Sequence, residues 1–248
     1  RSLRRETNDA WGNYVMSAAP ALAAEAYLRW RTTTLGAITE DLETRLIFDL
    51  AGPLVGQRVL DIGTGDGQYA IHAALRGAQV TALDSSQEML EAARQRADEQ
   101  GVHLVLQLGN ASKLPFHDDS FDVVLAVTVL CLVPDAELAV REMARVLRPG
   151  GRLLLGDLGR FNFWAAGRRL RAWLGASFWR SAHFRSQNQL CRLLSKAGLT
   201  VVATRGTVHY PPSALAARLL QPIEPLLTRI RMPGAAFLAL AASKPGSP

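Results

Sequence analysis

Residues 58–69 read Arg-Val-Leu-Asp-Ile-Gly-Thr-Gly-Asp-Gly-Gln-Tyr, and no other stretch limits the fold as tightly. Val59, Leu60 and Ile62 predict a short buried strand. Gly63, Gly65 and Gly67 predict a turn without side chains, and Ala70, Ile71, Ala73, Ala74 and Leu75 a helix. Beyond this unit, strand-like and helix-like segments alternate. Strands are expected at 79–83, 104–108, 121–127, 152–156, 199–204 and 235–242, and helices at 68–76, 87–100, 134–147 and 186–197. Ser85 or Ser86 caps the second of these helices, with Glu88 placed for a capping box. Such alternation predicts an α/β fold: a doubly wound, Rossmann-like, mostly parallel sheet with helices on both faces.

A glycine turn lets a ligand approach the backbone where any Cβ would collide, and it aims free N–H groups at that ligand. A dinucleotide turn reads Gly-x-Gly-x-x-Gly, with the pyrophosphate on the helix N-terminus. Here the third glycine comes one residue early, Gln68 stands where that motif needs glycine, and Asp61 and Asp66 flank the turn. Two carboxylates repel a phosphate and attract a cationic sulfonium amino acid with a free ammonium. Asp84 ends the second strand roughly 20 residues after the turn, the usual place of an acid that accepts both ribose hydroxyls.

Five motifs now stand in register: Val-Leu-Asp-Ile-Gly-Thr-Gly-Asp-Gly, Leu-Asp-Ser-Ser-Gln-Glu-Met-Leu, Gly-Asn-Ala-Ser-Lys-Leu-Pro-Phe, Ser-Phe-Asp-Val-Val and Arg-Val-Leu-Arg-Pro-Gly-Gly-Arg-Leu. Over residues 54–157 the chain resembles the class I S-adenosylmethionine-dependent methyltransferases, most closely the small-molecule "type 11" group that includes the ubiquinone and menaquinone C-methyltransferases. The resemblance implies a seven-stranded sheet whose last strand runs antiparallel between strands five and six. It implies S-adenosylmethionine as cofactor, S-adenosylhomocysteine as product and no metal. The cofactor residues it implies are Asp61, Gly63, Thr64, Gly65, Gly67, Asp84, Ser85, Met89, Asn110, Ala111 and Val127. Asn110 departs from the family's usual Asp, and its amide oxygen would accept from the adenine amino group. Leu114, Pro115 and Phe116 would supply an apolar edge for the adenine.

At 248 residues a single domain is expected, built as an N-terminal helical cap (1–53) on a core (54–248) that carries cap insertions at about 160–185 and 211–232. The cap reads as helices at 4–16, 20–30 and 38–51. In the resembled family such helices lie over the cofactor, which makes Tyr27 and Trp30 pocket candidates together with Thr128, Cys131, Phe163 and Trp164. Aromatic residues that merely pack the appendage would look the same. There is neither a secretory pattern nor an apolar run of membrane-spanning length, and the chain begins at Arg1 rather than Met, which leaves what precedes Arg1 open. Cys131 and Cys191 make neither a disulfide framework nor a metal site, so a reducing cytoplasm fits best.

The net charge of +6 is unevenly spread: between Asp157 and Glu224 there is no acidic residue, while arginines are frequent. Residues 161–184 interleave Phe161, Phe163, Trp164, Trp173, Phe178 and Trp179 with arginines. This is either an amphipathic lid over the pocket or a basic amphipathic helix for peripheral contact with anionic lipid. The Asn/Asp-Pro-Pro-aromatic motif of nucleic-acid amino-methyltransferases is missing after strand four, which argues against nucleic acid as partner and for a small-molecule substrate.

Methyl transfer needs a base only when the acceptor must lose a proton. Candidates are His183, His209 and Tyr210 in the cap and Cys131 after strand four, with His72, His103 and His117 less favoured by their core or loop positions. Three functions stay open: a methyltransferase for a small apolar or amphipathic acceptor at oxygen, carbon or sulfur; one acting at the membrane surface on a lipid, quinone or thiol; and a non-catalytic protein that binds the cofactor.

Overall fold

The computed structural model describes residues 29–173 and 183–246. Its sheet has seven strands in the order β3-β2-β1-β4-β5-β7-β6: β1 (Arg58–Ile62), β2 (Gln79–Asp84), β3 (Val105–Leu108), β4 (Phe121–Val127), β5 (Leu147–Leu158), β6 (Thr200–Thr207) and β7 (Phe237–Ser243). β7 runs antiparallel to both β5 and β6, and the neighbouring pairs from β3 to β5 are parallel, as the motifs imply. β1 and β4 carry the apolar runs of strands covered on both faces.

One face of the sheet is covered by α4 (Ala136–Val146) and α6 (Gln187–Lys196). Leu190 and Leu194 of α6 join Val140, Met143, Leu153 and Leu155 in a dry core. The other face takes α1 (Thr34–Ala51), α2 (Gln68–Ala74) and α7 (Ala214–Leu220), with Leu42, Leu46, Ile47 and Phe48 of α1 against Val59, Val123, Leu125 and Leu154. On this face α3 (Gln87–Glu99) lies beside α2, because two successive right-handed crossovers step the same way from β1 to β2 to β3; its Ala93 stands next to Gly67 and its Arg96 on Asp66. α1 is therefore part of the core packing, not an appendage laid over it. It starts four residues before the expected 38 because the Thr33 hydroxyl accepts from Gly36 N–H at 3.1 Å.

Side chains set several other boundaries. Ser86, not Ser85, caps α3 by accepting from Met89 N–H, so Glu88 falls one position short of a capping box. The box occurs instead at α6, where Ser186 and Gln189 satisfy each other's backbone N–H groups. Asp122, from the Ser-Phe-Asp-Val-Val motif, is a scaffold residue: it accepts Arg58 N–H at 2.7 Å and ties β4 to the start of β1. Arg145 of α4, held by Glu142, reaches the carbonyls of Leu114 and Phe116 and pins the loop after β3. The same loop tucks Leu114 into the core, so Leu114 is not the adenine edge expected of it.

The C-terminal ends of β1, β2, β4 and β5 share one edge of the sheet. The long connection from β6 to β7 crosses that same edge, because the two strands are antiparallel. It holds α7, a 3-10 turn (Gln221–Ile223) and α8 (Glu224–Arg229). The helix α5 (Phe163–Trp173) leaves the end of β5 beside it: Trp164 Nε1 donates to the Tyr210 carbonyl at 2.8 Å, and Asn162 Nδ2 to that of Ala235 at 3.2 Å.

Candidate active site

The register of β1 on β2 pairs Ile62 with Leu83, which brings the glycine turn beside Asp84. Thr64 N–H donates to the Leu83 carbonyl at 3.0 Å. The Asp84 carboxylate then closes the cradle, one oxygen accepting from Gly65 N–H at 2.9 Å and the other from Ser86 N–H at 3.0 Å. Both oxygens keep lone pairs for further donors, as binding of a ribose diol requires. Gly63 and Gly65 have positive φ, yet their surroundings differ. A side chain on Gly63 would strike Val129, whereas the space next to Gly65 is open. The turn is packed on one side and bare on the other, which suits a ligand held against its backbone.

Asp61, at the foot of the turn, is buried and accepts from the Thr64 hydroxyl at 2.6 Å. Burial raises its pKa to about 7, against the lowering pull of that hydroxyl and of the Ala70 N–H. Asp61 thus gains or loses its proton near neutrality. Only the ionised form attracts a ligand ammonium. Affinity for S-adenosylmethionine should therefore fall roughly tenfold from pH 8 to pH 6, and Asp61→Asn should abolish the dependence. Calorimetric titration at the two pH values checks this; a flat profile in the wild type would remove Asp61 from ammonium binding.

Asp66 does not leave the turn negative, as its place in the motif suggests. Arg31 and Arg96 both bind its Oδ2, Arg96 at 2.8 Å, and Arg31 also pairs with Glu40. Two carboxylates and two guanidiniums nearly cancel. Gln68 completes the cluster by accepting from both arginines through Oε1, while its Nε2 faces the Thr44 hydroxyl at 3.4 Å. The residue that replaces the dinucleotide glycine is thus a buried junction between turn and α1. Sequence reading missed Arg31, Glu40, Thr44 and Arg96. The only hint in the sequence was that a glycine position carried a hydrogen-bonding side chain.

Arg31 brings Trp30 to the same place, where the Trp30 and Trp164 rings meet edge to face with centroids 6.5 Å apart. These two pocket candidates come together, and Thr39 Oγ1 and Tyr210 Oη lie 3.0 Å apart, buried beneath Trp164, whose Nε1 bonds the Tyr210 carbonyl. Glu43, one helical turn after Thr39, makes no hydrogen bond or ion pair with the described residues. Protein surrounds it, yet it keeps some exposed surface, as a group on the wall of a cleft does. Burial raises its pKa to about 8, with Arg168 pulling down and Glu40 pushing up. Arg168, whose charge acts on Glu43, also stands over the Trp164 ring at 5.5 Å, which puts this carboxyl in the neighbourhood of the Trp30/Trp164 pair.

The other candidates are placed differently. Phe163 is turned outward and is 68% exposed, so it does not line this wall. Tyr27 and the aromatic residues at 178 and 179 lie outside the described residues. Thr128 sits at the end of β4 with φ +56°, its hydroxyl donating to the Val127 carbonyl. Asn110 Oδ1, expected to face an adenine, accepts from Ser112 N–H at 2.8 Å. Ala111 and Val127 are buried, and Met89 N–H is spent on the cap of α3.

Of the base candidates, three are committed to structure. Tyr210 is fully buried with its hydroxyl against Thr39, and burial pushes its pKa up. Cys131 is also buried, and its thiol faces the Thr128 carbonyl at 3.3 Å. Burial and the neighbouring Asp157 raise its pKa well above the ordinary thiol value, which removes the thiolate. His209 has both ring nitrogens engaged, Nδ1 with Glu224 and Nε2 with the Met232 carbonyl, each at 3.0 Å. His183 is exposed at the end of a segment tied by its N–H to the Cys131 carbonyl. His72 faces Phe48 and Arg76 on α2, and His103 and His117 lie exposed in loops. Asp157, unnoticed in the sequence as a site residue, is wholly buried at the end of β5, and burial lifts its pKa to about 6. Its Oδ1 accepts from Leu158 N–H, and Arg185 lies 3.9 Å from Oδ2. Among the described residues no group of side chains could hold a metal ion, and no helix is long and apolar enough to cross a membrane.

The family described as "Methyltransferase domain" matches residues 60–155, the stretch that builds the turn, the Asp84 strand and the floor of the site. A ubiquinone biosynthesis O-methyltransferase of Aeromonas salmonicida is 38% identical over 179 residues, 67% of this chain and 72% of that one. A 27-O-demethylrifamycin SV methyltransferase of Amycolatopsis mediterranei is 44% identical over 127 residues, 49% of this chain and 47% of that protein. The chain spans about half the length of the first curated relatives it matches. Among solved structures, a methyltransferase of Thermotoga maritima named a possible histamine N-methyltransferase superimposes with a TM-score of 0.67 at 26% identity, covering 89% of this chain and 95% of that one. The chain belongs to the class I S-adenosylmethionine-dependent methyltransferases.

Proposed function

We propose that the chain transfers a methyl group from S-adenosylmethionine to a small apolar or amphipathic molecule, at oxygen, carbon or sulfur, by in-line displacement. The observation that carries this reading is the cradle itself, in which Asp84 holds Gly65 and Ser86 by their N–H groups and the space beside Gly65 stays open. Asp84 would take the ribose hydroxyls, the turn backbone would lie against the amino acid portion, and Asp61 would face its ammonium. When bound, the cofactor supplies a methyl group on a sulfonium, which needs no further activation.

The remaining task of the protein is to align the acceptor and exclude water, for which effective molarities of about 10⁵–10⁸ M are available. The Trp30/Trp164 wall offers an apolar, aromatic surface for that purpose. For an acceptor that must shed a proton, Glu43 would be the base, since its pKa of about 8 suits proton uptake near neutrality. The names of the relatives, a 27-O-demethylrifamycin SV methyltransferase and a ubiquinone biosynthesis O-methyltransferase, favour an oxygen acceptor.

Calorimetric titration with S-adenosylmethionine, S-adenosylhomocysteine and, as control, NAD tests the cofactor; methyl transfer from labelled S-adenosylmethionine to phenols, quinols and thiols tests the reaction. Micromolar binding of both sulfur compounds, none of NAD, and label in a phenolic or quinol product are expected. Failure to bind either sulfur compound would sink the proposal, and binding without transfer to any of these acceptors would leave a cofactor-binding protein in its place.

A further inference from the structure

We propose that the two short helices between β6 and β7 form a docking surface for an anionic phospholipid bilayer. The surface is built by a repeated pattern. In α7, Leu215 and Leu219 stand four residues apart on one helix face, with Arg218 between them. In α8 and the residue that follows it, Leu226 and Ile230 stand four apart, with Arg229 between them. All four apolar side chains face solvent: Leu215 and Leu219 are each 67% exposed, Leu226 58% and Ile230 60%. The inward faces send Ala217 into the core, pack Leu220 partly buried against it and bond Thr228 to the Gly206 carbonyl. Four large apolar side chains nevertheless stay on the outer face, where a soluble surface helix carries polar ones.

Charge identifies the occupant. Glu224 is the only acidic residue in the chain after Asp157, and it is turned inward and fully buried. It is held there by Thr207 Oγ1, Val208 N–H, His209 N–H and His209 Nδ1, at 2.7–3.1 Å. The outer surface of residues 213–232 therefore carries arginine and apolar side chains and no negative charge. A second protein surface would need its own acidic and apolar match, whereas an anionic bilayer offers phosphates to the arginines and acyl chains to the leucines over an extended plane. The connection also crosses the sheet edge that carries the glycine turn, and Phe161 and Phe163, both exposed, leave the same edge beside it. This surface stands independently of the methyl-transfer reading.

Sedimentation with vesicles tests it. The whole chain should bind vesicles of mixed phosphatidylglycerol and phosphatidylcholine, at least tenfold more weakly vesicles of phosphatidylcholine alone, and should detach as salt rises. The double variant Leu219→Glu/Leu226→Glu should lose at least tenfold in the bound fraction, with melting temperature and S-adenosylhomocysteine binding unchanged. Should that variant fold poorly, Leu215→Ser/Ile230→Ser serves in its place. Absence of vesicle binding by the wild type, equal binding to both vesicle types, or undiminished binding by the folded variants overturns the proposal. A wild-type dimer that these substitutions break, with no affinity for vesicles, would assign the face to a second copy of the chain and overturn it too.

Discussion

Glu224→Ala is expected to cost about 3–5 kcal/mol of folding free energy, because it removes the acceptor for the Val208 and His209 backbone N–H groups and strips the His209 ring of its carboxylate partner. For a chain of this size that is a fall in melting temperature on the order of 10 °C. The pH dependence separates the ion pair from the backbone bonds. Burial lowers the His209 pKa, but the Glu224 hydrogen bond and charge and the Met232 carbonyl outweigh it, so the value stands above the ordinary 6.5. Burial likewise raises Glu224, and the bonds from His209 and Thr207 bring it below the ordinary 4.5. A raised histidine stabilises fully below 6.5 and loses that share as pH rises through its folded value. A lowered carboxylate stabilises above 4.5 and loses its share as pH falls through its folded value. The pair should thus contribute most between pH 4.5 and 6.5, and the gap between wild type and Glu224→Ala should narrow towards pH 9. Thermal unfolding at pH 6 and pH 9 measures both; an equal gap at the two values would show that the histidine is not charged in the folded state.

Asp84→Ala should weaken S-adenosylmethionine binding by about 2–3 kcal/mol, or roughly 30- to 150-fold in dissociation constant. Two losses combine: the acceptor for the ribose hydroxyls goes, and so do the bonds that fix Gly65 and Ser86. Asp84→Asn separates them. Its amide oxygen can still accept from Gly65 N–H, but the second position becomes a donor facing Ser86 N–H, so affinity should fall between the two. Calorimetry gives the constants, and circular dichroism confirms that the fold persists. An unchanged constant for Asp84→Ala would move the cofactor away from the glycine turn.

What could be read from the sequence was whatever a local period or a short motif determines. Val59, Leu60 and Ile62 announce β1, and the glycine spacing announces the turn. Asp84 could be placed because it ends a strand whose neighbour in the sheet ends in that turn. Element ends shifted where a cap or a pairing decides them, as at Thr33 before α1 and in the long β5, whose first residue pairs with Phe121 before the register shifts. The site chemistry was less legible because it depends on partners far apart in the chain. Arg31 reaches Asp66 across 35 residues, so the motif's second carboxylate reads as a free charge until α1 is docked. Chemically able side chains also mislead without their surroundings: His209, Tyr210 and Cys131 carry reactive groups, and all three spend them on carbonyls, carboxylates or hydroxyls already in the fold. Glu43 shows the reverse, an ordinary helix residue until α5 and the β6–β7 connection close around it.

The Arg31–Asp66–Arg96–Gln68 junction makes the segment before α1 and the glycine turn one mechanical unit, spanning both the cofactor side and the aromatic wall. Should the acceptor rest against Trp30 and the nucleoside in the turn, any coupling carried by this junction would act with equal strength in both directions, since a coupling free energy between two binding events is shared.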